Sequence, residues 1–253
     1  MILKVLGSSG AEFPGFNPPA FMLDGTLLLD AGTIGSKLSA REQSEIKHIL
    51  ITHSHLDHIK GIPFLADNII ITRGSHSVTL YGIRETLDSL SKNLLNDKIW
   101  PDFTKISASI EPVLKLRQIT PAKTFKVGHY AIRAYRVSHT VPAVGYIVRD
   151  GKGKTLLYTG DTGPTDEIWK TRGKLNAVII EVSFPNALEA LARKTGHMTP
   201  ALLVAELAKI RILPDRIFIT HPKPQYIKQI RKEIVRLGMQ QIEILQDGKS
   251  YRI

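Results

Sequence analysis

Four side chains with free lone pairs follow directly on an apolar run in the segment ILITHSHLDHIKGIP. The run His48–Thr52 has the continuous, β-branched character of a buried strand, and the residues after it include His53, His55, Asp57 and His58. Imidazoles two residues apart in an extended segment project to the same side, and the turn that follows can bring the Asp-His pair to a neighbouring point. This spacing predicts ligands for two adjacent metal ions.

The composition restricts what such a site can contain. The 253 residues include no cysteine, so disulfides and thiolate ligands are excluded, and any metal must be held by imidazole and carboxylate groups. These ligand types accept several divalent ions. We expect two divalent ions per chain, and these ligand types do not distinguish zinc from manganese or iron.

Length and charge indicate a soluble protein with one core. At 43% hydrophobic residues the chain is long enough for a single domain spanning residues 1–253. Because no apolar run approaches the roughly 18 to 20 residues of a membrane span, and the opening MILKVLGSSG is too short for a signal peptide, we expect a cytoplasmic protein with no membrane partner. The formal charge of +11 suits a phosphate-bearing partner, although scattered Lys and Arg residues are more typical of a solvated surface.

Short β-type runs alternate with amphipathic segments along the chain, which predicts one α/β domain with helices covering the sheet faces. The predicted strands are Ile2–Leu6, Thr26–Asp30, His48–Thr52, Asn68–Thr72, Tyr130–Val137, Val144–Arg149, Thr155–Thr159, Ala177–Val182, Arg216–Thr220 and Ile242–Leu245. Helices are predicted where Ile83, Leu87, Leu90 and Leu94 form one apolar stripe, and after Thr199, which is placed as an N-cap before Pro200. The RDGKGK segment around Gly151 predicts a hairpin turn.

Three predicted strands end in residues suited to metal binding. ILIT leads into His53, LLYTG into Asp161 and IFIT into His221. In open α/β sheets the ligand site lies beyond the carboxyl ends of the strands. We therefore expect these distant segments to converge on one point.

The motif THSHLDH, with Asp30 upstream and His139, Asp161 and His221 downstream, resembles the metallo-β-lactamase superfamily of binuclear metal hydrolases over essentially the whole chain. The resemblance implies an α/β fold of the αβ/βα four-layer type, with two mixed sheets flanked by helices. Within that superfamily the chain looks most like the class II cyclic-nucleotide phosphodiesterases. The segments that carry this narrower resemblance are HSHLDHIKGIP, LLNDKIWPDF, VSHTVPAVGY, IIEVSFPN and GHMTP.

The resemblance also implies a role for each residue of the metal site. The ligands of one metal are implied to be His53, His55 and His139, and those of the other Asp57, His58 and His221. Asp161 matches the carboxylate that bridges both ions, and Asp30 matches a position that accepts the second N–H of a ligand imidazole. Water held between two dications loses a proton near neutral pH, so a metal-bridging hydroxide is the expected nucleophile toward phosphorus.

Three residues are expected to act in the chemistry itself. His197 in TGHMTP matches a group that stabilises or protonates the leaving oxygen, and Glu181 in IIEVS is the candidate that fixes its tautomer. Asp57 is placed both as a ligand and as a catalytic carboxylate. An alternative for His197 is a helix-start residue that only bonds the loop. Trp100 and Phe103 in IWPDF could stack on a purine or pack within the loop.

The expected reaction is hydrolysis of a 3',5'-cyclic nucleotide, cAMP and potentially cGMP, to the 5'-monophosphate. The main alternative is a transfer-RNA 3' processing endoribonuclease of the same superfamily, for which RNA would be the partner. Those enzymes usually carry a protruding arm, and His139 and Asp161 are only 22 positions apart, which leaves no room for one there. A non-catalytic, basic nucleic-acid-binding module is the second alternative. A homodimer is compatible with the sequence.

Overall fold

Two β-sheets face each other in the computed structural model, which describes residues 1–72, 76–107, 110–170 and 173–253. The strands are β1 Ile2–Gly7, β2 Ala20–Leu23, β3 Leu27–Leu29, β4 His48–Leu50, β5 Val78–Gly82, β6 Leu114–Gln118, β7 Thr124–Val127, β8 Tyr130–Val137, β9 Ala143–Arg149, β10 Thr155–Tyr158, β11 Ala177–Glu181, β12 Arg216–Thr220, β13 Ile242–Ile244 and β14 Ser250–Arg252. The α-helices are α1 Ala40–Ser44, α2 Leu56–Ile59, α3 Gly61–Ile71, α4 Arg84–Asn93, α5 Glu189–Lys194, α6 Pro200–Leu207 and α7 Ile227–Arg236. Short 3₁₀ turns cover Glu167–Lys170, Asn186–Leu188 and Pro224–Tyr226.

Both sheets are mixed. Within the described residues, the first has the order β14-β1-β2-β3-β4-β5-β6, and the second β13-β12-β11-β10-β9-β8-β7. Strands β3 to β6 run parallel to one another, as do β10 to β13, while the remaining neighbours pair antiparallel. Each sheet therefore has a set of parallel strands whose carboxyl ends share one edge.

Three apolar clusters define four layers. The central cluster joins the inner faces of both sheets, for example Phe21 and Leu29 with Tyr146 and Phe218. A second cluster packs the outer face of the first sheet against α3 and α4, and a third packs the second sheet against α6 and α7. Because every central strand is covered on both faces, the strands read as continuous apolar runs. The four-layer α/β architecture expected from the sequence is confirmed.

Most of the predicted elements form where their sequence signals lie. The stripe of Ile83, Leu87 and Leu90 is buried along α4, and Thr199 caps α6 by accepting a hydrogen bond from the Leu202 backbone N–H. The RDGKGK turn connects β9 to β10, which pair antiparallel. The same N-cap and proline rules that predict α6 explain why it begins at Pro200.

The strand predicted at Asn68–Thr72 is wrong, because these residues form the last turn of α3 and its C-cap. Ile69 packs into the core while Ile71 is 73% exposed, as a helix surface requires. The helical pattern that starts at Gly61 overrides the β-branched character of the isoleucines. The sequence pattern does not predict the strands β2, β5, β6, β7 and β14, most of which are short or interrupted by polar residues.

The helices of the described segments are too short or too polar to cross a lipid bilayer. The longest of them, α3, has 11 residues and lies on the outer face of the first sheet. A span of the hydrocarbon core would need about 20.

Candidate metal centre

The side chains predicted as ligands all lie at the carboxyl ends of strands. Asp30 follows β3, and His53 follows β4 after a two-residue extension. His139, Asp161 and His221 follow β8, β10 and β12. The carboxyl ends of strands in both sheets therefore bring together residues that are far apart in sequence, as the strand endings predict.

One group of ligand atoms is made of imidazoles alone. Atoms of His53, His55 and His139 all lie within 4.8 Å of one another, and His139 Nε2 is 3.2 Å from His55 Nδ1. His139 Nδ1 donates a hydrogen bond to the Gly196 carbonyl oxygen at 2.9 Å, which leaves the Nε2 lone pair free. The three nitrogens are those predicted for the first metal.

The second group combines carboxylates with imidazoles. Asp57, His58, Asp161 and His221 offer atoms that also lie within 4.8 Å of one another. His221 Nε2 is 3.1 Å from Asp161 Oδ2 and 3.3 Å from Asp57 Oδ2. The same Asp161 oxygen is 3.3 Å from His58 Nε2 and 4.0 Å from His53 Nε2, so this carboxylate faces both groups, as a bridging ligand would.

Two buried ring nitrogens without hydrogen-bond partners in the part of the chain that the structure describes show that this set of side chains could hold two cations. His53 Nε2 and His58 Nε2 are buried and make no hydrogen bond among the described residues, although Asp161 Oδ2 is near each of them. A ring nitrogen and a carboxylate oxygen at such distances repel each other unless a proton or a metal ion lies between them. Ligand atoms on a tetrahedral zinc ion are about 3.4 Å apart, close to the spacings in the second group. The residues present therefore could hold the two ions that the fold family implies.

Asp30 accepts four hydrogen bonds next to the histidines that follow the first sheet. Its carboxylate is fully buried and accepts from the Thr52 backbone N–H, the Thr52 hydroxyl and the Tyr158 hydroxyl, each at 2.7 or 2.8 Å. It also accepts from His58 Nδ1 at 2.7 Å. Because a carboxylate only accepts, the His58 proton lies on Nδ1, and Nε2 is left for a metal, as predicted for Asp30.

Glu181 has the same position behind the second sheet's ligands. It is fully buried and accepts from the Thr162 backbone N–H at 2.9 Å and from His197 Nδ1 at 2.6 Å. The predicted pairing of Glu181 with His197 is therefore present in the structure. The His197 ring centroid is 5.2 Å from that of His139 and 5.3 Å from that of His221, so the ring lies beside ligands of both groups.

Two hydroxyl groups that the sequence did not single out complete the arrangement. Ser183 Oγ is 2.7 Å from Glu181 Oε2 and 2.9 Å from His221 Nδ1. The hydroxyl has one proton, which goes to the carboxylate, so its oxygen accepts the N–H of His221 Nδ1. Thr52 repeats this on the other side, with its hydroxyl on Asp30 and its oxygen 3.0 Å from His53 Nδ1. Each carboxylate thus orients one histidine directly and one through a hydroxyl.

The electrostatics separate the histidines into two kinds. Burial lowers the pKa of His53, His55 and His139, which favours the neutral imidazole that binds metals. Burial also acts on His58 and His197, but adjacent carboxylates more than offset it. The pKa of His58 is raised well above its usual value by Asp161 and Asp30, and that of His197 is raised by Glu181.

The backbone is strained at two of these residues. Asp30 and His221 have φ angles of 55° and 62°, in the left-handed region that non-glycine residues seldom adopt. Gly10 packs against the imidazole of His221, where a Cβ atom would lie 2.6 Å from Nδ1. Gly10 and Ser183 thus both lie close to Nδ1 of this ring. Such strain at the end of a strand turns the side chain toward the site.

One suggested contact is excluded by burial. Phe103 is only 3% exposed and belongs to the core cluster beside the first sheet, so its ring is not available to a purine. Trp100 is half-buried and packs edge-on against Phe64, with the ring centroids 5.1 Å apart.

The chain belongs to the family described as the beta-lactamase superfamily domain, whose model matches residues 26–221. The match begins just before β3 and ends at His221, so it contains Asp30 and every residue of the two ligand groups. The family assignment and the fold expected from the sequence agree.

Relatives with two different names match this chain. It is 28% identical over 209 residues to a probable 3',5'-cyclic-nucleotide phosphodiesterase of Yersinia pestis, covering 73% of this chain and 59% of that protein. The chain thus matches about three fifths of that relative's length. It is 25% identical to a ribonuclease Z of Methanocaldococcus jannaschii, covering 100% of this chain and 97% of that protein. The crystal structure of unliganded yeast PDE1 shares the fold, with a TM-score of 0.80, 19% identity and 98% of each chain covered.

We predict that the protein binds close to two divalent ions per chain and that Asp161→Ala loses most of this capacity. The reason is that Asp161 Oδ2 faces nitrogens of both ligand groups. Metal content should be measured by elemental analysis of protein purified without added metal. Asp166→Ala is the matched control, since that carboxylate is exposed and pairs with Lys209. A variant at position 161 that retains both ions would contradict the bridging role.

We also predict that Ser183→Ala weakens metal binding by roughly 10- to 100-fold, the usual effect of losing a group that orients a ligand. The variant removes the acceptor for His221 Nδ1 and one donor to Glu181. Metal affinity should be measured by competition with a chromophoric chelator. Thr86→Val is the control, because it removes another buried hydroxyl, one without a hydrogen-bond partner among the described residues. Unchanged affinity in Ser183→Ala would show that the hydroxyl does not position His221.

Proposed function

We propose that this chain is a binuclear metal-dependent phosphodiesterase that hydrolyses a 3',5'-cyclic nucleotide to the 5'-monophosphate, with residues 1–253 forming one hydrolase domain. The observation that carries the proposal is the placement of His197, held by Glu181, beside two ligand groups that share Asp161. The ligand groups, which with bound ions would activate a water molecule, and His197, which would protonate the leaving oxygen, then lie at one site.

The proposed ligands are His53, His55 and His139 for one ion and Asp57, His58 and His221 for the other, with Asp161 shared. Two divalent ions bound there would lower the pKa of a water molecule and neutralise charge on the phosphoryl oxygens. Neutral imidazoles with carboxylates suit zinc, which is the ion we propose, and they also accept manganese or iron.

Asp57 is proposed to act in the reaction as well as in binding. Its side chain is 31% exposed, whereas those of His58, Asp161 and His221 are 3% exposed or less. Among these ligands it therefore faces the mouth of the site. Its carboxylate is placed to orient the attacking water and to accept a proton from it with the oxygen that does not face the ligand group.

His197 is proposed as the general acid. Its Nδ1 donates to Glu181, so Nε2 is the nitrogen that can reach a substrate. Water attacks the phosphorus opposite the 3' oxygen, the bond from phosphorus to that oxygen breaks, and His197 Nε2–H supplies the proton that the oxygen requires. The phosphate stays on the 5' carbon, so the product is the 5'-monophosphate with a free 3' hydroxyl.

The segment between His139 and Asp161 favours a small substrate over transfer RNA. It is occupied by β9, β10 and the turn between them, and thus contains no protruding arm. The 28% identity to a probable cyclic-nucleotide phosphodiesterase supports the same choice. Ribonuclease activity is the second candidate, since the ribonuclease Z relative matches the whole chain and the net charge of +11 suits RNA.

The deciding experiment compares the metal-loaded protein on cAMP, cGMP, bis(p-nitrophenyl) phosphate and a precursor transfer RNA. We expect turnover of a cyclic nucleotide, with 5'-AMP as the only product from cAMP, identified by chromatography against 3'-AMP. Release of 3'-AMP would contradict the proposed attack geometry. Cleavage of the precursor transfer RNA without cyclic-nucleotide turnover would establish the second candidate instead.

We predict that His197→Ala retains both metals but loses roughly 10² to 10⁴ in kcat on cAMP, the usual contribution of a positioned general acid. The loss should be smaller on bis(p-nitrophenyl) phosphate, because p-nitrophenolate departs without a proton. Glu181→Gln should show a milder form of the same pattern. Near wild-type turnover of cAMP by His197→Ala would show that His197 is only a helix-start residue that bonds the loop before α6. Loss of metal would make it a ligand.

A further inference from the structure

A cavity of about 430 Å³ lies beside the metal centre and contains none of the proposed ligands. Its walls are the loop 32–36, Glu12, and the side of helices α2 and α3 that carries Lys60, Phe64 and Asn68. We propose that this cavity binds the purine base of the nucleotide substrate, with the ring of Phe64 stacking on the base. The inference rests on the proposed phosphodiesterase function and names the part of the site that would recognise the nucleoside.

The cavity adjoins the metal centre through shared backbone. Gly32 in its wall packs so closely that a Cβ atom would lie 1.9 Å from the Asp57 carbonyl oxygen. Lys60 and Gly61 follow His58 by only two and three positions. A ligand with its phosphate at the metal centre therefore has this cavity as an immediate neighbour.

The helix geometry places Phe64 on the same side as Lys60 and Asn68. Lys60 joins α2 to α3 with helical angles, φ −60° and ψ −22°, and the Gly61 backbone N–H leaves the helix to donate to the Ala31 carbonyl oxygen. Residues four apart lie on one face of a helix, and long side chains lean toward its N-terminus. Phe64 therefore stands in the same wall of the cavity as Lys60 and Asn68.

The aromatic ring is presented for stacking. Phe64 is 55% exposed, a large apolar area to leave in water without a partner, and Trp100 supports it edge-on from one side. Stacking of a base on an aromatic side chain is tolerant of base identity and stronger for the larger purines. The cavity volume exceeds that of a purine, and its loop wall consists of the small residues Gly32, Thr33, Gly35 and Ser36 together with Ile34.

Polar groups for the edge of the base are also in place. Lys60 Nζ pairs with Glu12 Oε2 at 2.5 Å, and both residues line the cavity. The carboxylate can accept from an exocyclic amino group, and the ammonium can donate to a ring nitrogen or a carbonyl oxygen. This pair can serve either adenine or guanine.

The test measures binding of 5'-AMP and of inorganic phosphate to the metal-loaded protein by calorimetry. Phosphate shares the phosphoryl group with 5'-AMP but has no base, so it reports on the metal centre alone. Phe64→Ala should weaken 5'-AMP binding by roughly 10- to 100-fold and leave phosphate binding unchanged, since base stacking is worth about 1 to 3 kcal/mol. Phe64→Tyr should bind 5'-AMP as the wild type does.

Phe13→Ala is the matched control. Phe13 is 47% exposed and follows Glu12 directly, yet it does not line the cavity. A second readout is tryptophan fluorescence. Trp169 is buried and donates a hydrogen bond to Glu206, whereas Trp100 contacts Phe64. A change in fluorescence on adding 5'-AMP would therefore come from Trp100. We expect this change in the Phe13 variant and not in Phe64→Ala.

Equal affinity for 5'-AMP in the wild type, Phe64→Ala and Phe13→Ala would overturn the proposal, as would the absence of 5'-AMP binding to the wild type. An equal loss of phosphate and 5'-AMP binding in Phe64→Ala would also overturn it, because the ring would then support the metal centre. Binding can be measured without turnover. If 5'-AMP binds in a Phe64-dependent way but cyclic nucleotides are not hydrolysed, the proposed function is contradicted while the proposed base site is supported.

Discussion

Two buried carboxylates, Asp30 and Glu181, determine the arrangement of the histidines around them. Each has no exposure to solvent and accepts hydrogen bonds from one imidazole directly and from one hydroxyl that in turn accepts from a second imidazole. A buried carboxylate without hydrogen-bond donors would cost much free energy, so the folded chain has to surround each of these groups with donors. The outcome is that the protons of His58, His53 and His221 lie on Nδ1, and their Nε2 atoms face the centre.

These carboxylates also connect the metal centre to the fold. Asp30 belongs to the first sheet, but one of its donors is Tyr158 at the end of β10 in the second. Tyr146 of the second sheet similarly donates to the carbonyl oxygen of Ile51, which follows β4 of the first. The central apolar core sets the distance between the sheets, and these hydrogen bonds fix how their carboxyl ends face each other. Ligands from both sheets can then share Asp161.

The residues that the sequence proposes as ligands converge in the structure, because their signal is local or lies at strand ends. The His53 to His58 motif has a spacing that few other structures need, and β-branched runs mark the strands before Asp161 and His221. Ser183 and Thr52 carry no such signal, since buried hydroxyls occur throughout proteins and their partners are distant in sequence. Phe64 carries no signal of its own either, because an aromatic residue usually packs in the core, and only the fold shows that this ring is exposed. The run Asn68–Thr72 has the β-branched composition of a strand, but packing against the first sheet determines that it is helical.

The arrangement implies that the protein without metal is under strain that bound ions would relieve. Asp161 Oδ2 lies near three imidazole nitrogens, two of them buried without a hydrogen bond among the described residues, and the backbone at Asp30 and His221 has left-handed φ angles. Each of these features costs free energy in the folded chain. A metal ion that binds only the folded state stabilises it by an amount that grows with the logarithm of the ratio of its concentration to its Kd, and the free ring nitrogens then become ligands. Preorganisation of this kind is what a catalytic site needs, because the ligands then do not have to rearrange when the substrate arrives.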